Sequence, residues 1–378
     1  MTHRERVLTA LSHREPDRVP LDLGATPVTS LHIEAYRALR EFMGLPPREG
    51  YIVNRMQQIV LPDDDMLEIL DVDVRGIFLG SPRDSLAEDY PDGSYRDMWG
   101  VVRVRPPSSH YYDLVGSPFD KEDLTIEDIE AHFWPNPRDP GFFDGLESRC
   151  RQLSASDCAI VFNLGASVVQ ISQFMRGFIR WYEDLILRPK LLQTIMEHIT
   201  TIYIEMADEV IRRIGNYIDV VFTSDDLGTQ ENLQFSPVVY RSVIKPYHER
   251  IFRFIKSKSN AKLLLHSCGA IFELIDDLVE IGLDILNPVQ VSARNMAIER
   301  LKERYGDQLA FWGAIDNQRL LPFATPEEIR SNVENTIEVL GRGGGYVLCA
   351  THNIQPGTPP ENIVAMYYDG GRKRRPPV

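Results

Sequence analysis

Apolar residues along this chain switch repeatedly between two spacings. Short runs read as strands at Val19–Leu23, Val74–Leu79, Ala159–Leu164, Val220–Thr223, Ala261–His266, Ile285–Pro288, Leu309–Gly313 and Tyr346–Cys349. Helical periodicity fills most of the gaps, for example over Lys190–Ile214, Pro237–Lys258, Ile271–Ile281 and Pro326–Leu340. Thr325-Pro326-Glu327-Glu328 is a helix start, with Thr as N-cap, Pro at the first helical position and acids in the first turn. Strands alternating with helices predict an α/β fold with a parallel sheet. Eight such units predict a (β/α)8 TIM barrel.

Two regions break the rhythm. Residues 30–72 read as mostly helical, and residues 90–140 carry a hairpin (Gly93–Met98, Val101–Val104) and the Pro-rich stretch Phe133–Pro140. Both are expected as N-terminal helical and hairpin insertions in one barrel domain spanning 1–369. The tail 370–378, GGRKRRPPV, is expected to be a mobile, solvated end. The Gly341–Gly345 run precedes a strand instead of joining strand to helix, so it reads as a turn and not a nucleotide fingerprint.

Composition narrows the class. The chain has 378 residues, 43% hydrophobic and 25% charged, with a net charge of −14. That balance argues against broad binding of nucleic acid or an anionic membrane. The start, Met1-Thr2-His3-Arg4-Glu5-Arg6, has no apolar signal core, and no uninterrupted apolar window is long enough to span a bilayer. Cys150, Cys158, Cys268 and Cys349 are scattered and do not form a disulfide framework. A reducing cytoplasm is the expected location.

The chemistry gathers at strand ends, where barrel enzymes place their active sites. Asp22, Asp225, Asp226, His266, Cys268, Asn287, Asp316, Cys349 and His352 each lie at or just past a predicted strand end. His266 and Cys268 are two residues apart, so on a strand both side chains face the same way. Gly269 then lets the chain turn. With Cys349 they form a three-donor set suited to a catalytic zinc with one open position. Two thiolates and a neutral imidazole would leave such a centre formally neutral, better suited to holding a thiol as thiolate than to making hydroxide. A free thiol is only roughly 3% ionised at pH 7, a deficit of about 2 kcal/mol that coordination removes. Only one of the adjacent Asp225 and Asp226 is expected to enter the pocket. Asp22, Asp225, Asp226 and His352 are candidates for orienting substrate or carrying protons. A structural role competes for each.

RERVLTALSHREPDRVPLDLG, SDDLGTQENLQFSP, HSCG, WGAIDNQRLLPFATPEEIR and NIQPGTPPENI together resemble the uroporphyrinogen decarboxylase superfamily over nearly the full length. The resemblance implies a (β/α)8 barrel. The true decarboxylases are matched less well at their active site. Their arginine-rich MRQAGR stretch is replaced by LDLGATPVTS, their aspartate falls around Gly80 and their tyrosine at Gln173, and only His352 has a counterpart. The HxC…C pattern resembles instead the zinc-dependent corrinoid methyltransferase branch, mapping onto His266, Cys268 and Cys349. That likeness implies methyl transfer between a corrinoid such as methylcobalamin and a zinc-bound thiol. No DxHxxG-type cobalamin signature occurs here, so the corrinoid is expected on a separate small protein. Demethylation of a small methylated compound is the first alternative. A decarboxylase of a smaller acid and a metal-holding subunit without turnover rank lower.

Overall fold

A computed structural model describes residues 1–368, so the basic tail 370–378 lies outside the described residues. Seven parallel strands hydrogen-bond in chain order: Val74–Phe78, Ala159–Gly165, Val220–Ser224, Lys262–His266, Ile285–Asn287, Ala310–Ile315 and Tyr346–Ala350. Runs such as Leu263-Leu264-Leu265 are buried throughout, as strands covered on both faces require. The expected first strand, Val19–Leu23, is reduced to a single parallel bridge between Leu21 and Leu348. Pro20 has no N–H to donate, and only its carbonyl is used, by Leu348 N at 2.9 Å. Asp22 N donates to Leu348 O and Asp73 N to Leu21 O, so this short segment still closes the ring between the last strand and the first. The curled sheet with its helices is a TIM-like α/β fold.

Helices follow the predicted periodicity closely. Pro189–Ile214 and Pro326–Leu340 appear as expected, the latter with a Thr325/Glu328 capping box. The predicted helix Pro237–Lys258 is instead interrupted by a π-helical turn at Tyr240–Ile244. Pro246 explains the break, because it offers no N–H to the carbonyl of Ser242 and the turn widens around the gap. Residues 30–72 are not mostly helical. Helices Ile33–Phe42 and Asp64–Ile69 flank strands Tyr51–Asn54 and Ile59–Leu61, which form a small antiparallel sheet with Leu31–His32. Gly44, Pro46 and Pro47 end the first helix, and the β-branched Ile52, Val53, Ile59 and Val60 favour strand. The hairpin expected near residue 100 is present, with Tyr95 opposite Arg103 inside a four-stranded antiparallel sheet. No helix among the described residues is long and apolar enough to cross a membrane.

The N-terminal end of the barrel is locked by one carboxylate. Asp73, fully buried, accepts hydrogen bonds from Arg6 Nη1 at 2.6 Å, Arg18 Nη1 at 2.5 Å, His3 Nδ1 at 2.7 Å and Leu21 N at 2.7 Å. Burial alone would push this carboxyl up, but the His3 and Arg18 hydrogen bonds and the Arg18 charge outweigh it and hold it below its ordinary value. The opposite, C-terminal end is left free for chemistry.

Candidate metal centre

His266 ends one strand, Cys268 stands two residues further on, and His352 lies two residues past the last strand. One donor atom from each falls within 4.8 Å of the others, the group among the described residues with metal-holding geometry. His266 Nε2 is 3.3 Å from Cys268 Sγ, and the His266 and His352 rings meet edge to face at 5.5 Å.

The tautomer of His266 follows from its surroundings. Asn287 Nδ2 donates to Trp312 O at 2.9 Å, which turns Asn287 Oδ1 toward His266 Nδ1 at 2.5 Å. The oxygen can only accept, so Nδ1 carries the proton and Nε2 presents its lone pair to Cys268 and His352. This is the arrangement that orients a metal-binding imidazole. Burial lowers the His266 pKa and takes that of His352, with help from neighbouring His266, down to about 4. Both rings are therefore neutral donors near pH 7. Burial and the Asp226 charge push the Cys268 thiol well up, so in the absence of a cation it keeps its proton. Two neutral imidazoles and a thiol, with His266 buried and the other two half-buried, fit zinc.

Cys349, expected as the third donor, lies outside this group. It is fully buried, its Sγ donates to Ala350 O at 3.3 Å, and Asp22, Tyr346 and Tyr367 are its electrostatic neighbours. Burial and the Asp22 charge keep its thiol protonated. Cys349 is still inside the strand, whereas His352 has reached the loop beyond it, at the barrel mouth.

The three acids part company. Asp226 Oδ1 accepts from Cys268 N at 2.9 Å and stands 3.8 Å from His266 Nε2. Asp225 turns away: its carboxylate accepts from Val169 N, Gln170 N and His248 Nε2, each at 2.9 Å, thereby capping the helix Val168–Arg176. His248 Nδ1 in turn accepts from Tyr240 Oη at 3.2 Å. Asp22 is fully buried, accepts from Trp312 Nε1 at 2.7 Å and Ala25 N at 3.0 Å, and burial raises its pKa to about 6. Asp22 and Asp225 thus brace the barrel, and Asp226 alone of the three borders the centre. Asn287 was legible in sequence only as a rim residue, since its part depends on a neighbouring strand.

Gly269 has φ +93°, and a Cβ there would sit 2.5 Å from Gly228 C and 2.6 Å from Thr229 O. Gly269→Ala is expected to cost at least about 1–3 kcal/mol and to displace Cys268. A lowered urea midpoint together with weaker zinc retention would show both effects.

A cavity of about 580 Å³ opens over the ends of the strands Val74–Phe78, Ala159–Gly165 and Val220–Ser224. Phe78, Met98, Asn163, Tyr203 and Phe222 line it, and none of the three clustered donors does. Phe222 lies on the same strand as Ser224, which pairs with His266, so cavity and cluster both lie toward the C-terminal ends of the strands.

Together these features define a barrel with a candidate metal centre at the C-terminal ends of its strands. The uroporphyrinogen decarboxylase (URO-D) family matches residues 110–368, more than half of the chain, and the chain belongs to that family. The uroporphyrinogen decarboxylase of Synechococcus sp. (strain CC9902) is 27% identical over 183 residues, covering 48% of each chain. That of Prochlorococcus marinus (strain NATL2A) is 27% identical over 140 residues, 37% of each chain. The matched stretch therefore spans half or less of these curated relatives. A solved structure described as a methyltransferase from Methanosarcina mazei superposes over 98% of both chains, with a TM-score of 0.68 and 18% identity. At that identity it shows a shared fold over the whole chain.

Proposed function

We propose that this protein is a zinc-dependent methyltransferase that moves a methyl group between a corrinoid and a zinc-activated thiol. The observation that carries this reading is the convergence of His266, Cys268 and His352 at the barrel mouth, with the His266 tautomer fixed for metal binding. These three residues would hold zinc, which when bound supplies a thiol in its thiolate state, oriented for attack on an electrophilic methyl group. Asn287 keeps Nε2 of His266 free, and Gly269 places Cys268. The corrinoid would arrive on a separate small protein, and a cytoplasmic setting fits thiols that must stay reduced. The methyltransferase fold neighbour agrees with this class of reaction, and the missing arginine-rich stretch speaks against a polycarboxylate tetrapyrrole substrate.

The test begins with metal content and product analysis on reduced protein. One zinc per chain, lost in Cys268→Ser, and a methylated thiol formed from methylcobalamin are the expected results. Failure of reduced wild type to retain or bind zinc would overturn the reading in favour of a metal-free decarboxylase. A second reading is demethylation of a small methylated compound onto cob(I)alamin, for which the cavity of about 580 Å³ offers room. Methyl-corrinoid formed from such a compound without added thiol would favour it.

A further inference from the structure

We infer that Asp226 is the fourth donor of the resting centre, an exchangeable carboxylate that closes the site until substrate arrives; this rests on the zinc reading above. With His352 in place of a second cysteine, the protein donors are two neutral imidazoles and one thiolate. A divalent ion among them keeps one uncompensated positive charge, in a site where His266 is only 2% exposed. Buried net charge is costly, and a nearby anion removes the cost.

Three acids lie near enough to consider, and two are already engaged. Asp225 is spent on the Val168–Arg176 helix and His248. Asp22 is sealed against Trp312 and Ala25. Asp226 is partly exposed, 3.8 Å from the free lone pair of His266, and anchored on the backbone N–H of Cys268. At ordinary bond lengths a nitrogen and an oxygen donor of one tetrahedral ion lie about 3.3 Å apart, and a nitrogen and a sulfur donor about 3.6 Å. The Cys268–His266 separation of 3.3 Å is close to this, and a shift of about 0.5 Å toward His266 would bring Asp226, at 3.8 Å, into the same range. The loop bearing Asp226 is held by Gln234 Nε2, which donates to Asp226 O at 3.0 Å, while Tyr182 Oη donates to Gln234 Oε1 at 2.7 Å. Exchange of this carboxylate for an incoming thiolate leaves the charge unchanged, the thiol proton passing to buffer. The carboxylate can then stay on the Cys268 N–H.

Asp226→Asn and Asp226→Glu separate ligation from positioning, because the asparagine oxygen can still accept from Cys268 N–H while the negative charge is gone. Zinc affinity would be measured by competition with a chromophoric chelator, and the donor set by the visible spectrum of the cobalt(II)-substituted protein. Asp226→Asn is expected to weaken zinc binding about 10- to 100-fold and to shift the cobalt bands, with Asp226→Glu restoring most of the affinity. Wild-type affinity and spectrum in Asp226→Asn would overturn the assignment and leave the zinc reading standing. Weaker binding with an unchanged cobalt spectrum would also overturn it, reducing Asp226 to a positioning residue. Wild type that binds neither zinc nor cobalt would overturn both.

Discussion

Replacing His352 by alanine is expected to strip the metal and lower thiol methylation by at least about 100-fold, whereas Cys349→Ser should leave both near the wild-type level. Removing the orienting partner of a metal ligand typically costs about 10- to 100-fold, so loss of a ligand itself should cost no less. The paired design matters because the sequence pattern and the folded geometry name different third donors. His352 shares its site with His266 and Cys268, while the Cys349 thiol is spent on Ala350 O beneath the mouth. Zinc per chain by elemental analysis, with thermal melting as a folding control, checks the prediction. Metal loss in Cys349→Ser and retention in His352→Ala would reinstate the two-cysteine set.

The second large effect lies at the other end of the barrel. Asp73→Ala should destabilise the protein by up to about 3–5 kcal/mol, because Arg6 and Arg18, nearly buried, lose their shared anion and keep only Asp17 and Asp71 as acidic partners. The loss also removes the acceptor for Leu21 N, and with it part of the closure between the first and last strands. Chemical denaturation of both proteins at neutral pH measures the difference. The pH dependence has a definite sign. The folded Asp73 carboxyl lies below its ordinary value, so its contribution is full above that value, about 3.9, and is lost as pH falls through the folded one. The gap between wild type and Asp73→Ala should therefore be widest at neutral pH and shrink in strong acid. A gap independent of pH would mean that packing, not charge, carries the effect.

Much of the barrel was legible because strand and helix periods are local properties. Seven predicted strands agree with the observed ones to within a few residues, and the Thr325 cap is visible in four consecutive letters. Two misreadings share a cause. Pro20 looks harmless in an apolar run until a ladder needs its N–H, and Pro246 widens a helix whose apolar spacing continues through it. In residues 30–72 the strands Tyr51–Asn54 and Ile59–Leu61 pair with each other as a hairpin, and their β-branched residues were a local signal that the helical reading passed over. The centre was legible to the same degree. His266-x-Cys268 is a local motif, but the third member of the cluster depends on which residue past the last strand faces the mouth. Cys349 and His352 are three positions apart, and chemistry favoured the sulfur. The fates of Asp225 and Asp226 likewise followed from partners far off in sequence, His248 and Cys268.

The two loops that frame the centre are stitched together beyond the end of their strands. Asp225 N donates to His266 O, Leu227 N to Ser267 Oγ, Cys268 N to Asp226 Oδ1 and Ala270 N to Thr229 O, all between 2.8 and 3.0 Å, and Gly228 lies against Gly269 with no room for a side chain between them. Such a seam cannot open on one side only. If the centre holds zinc as proposed, this seam fixes the spacing of the donors and would disfavour an ion that prefers a flat or six-coordinate surround.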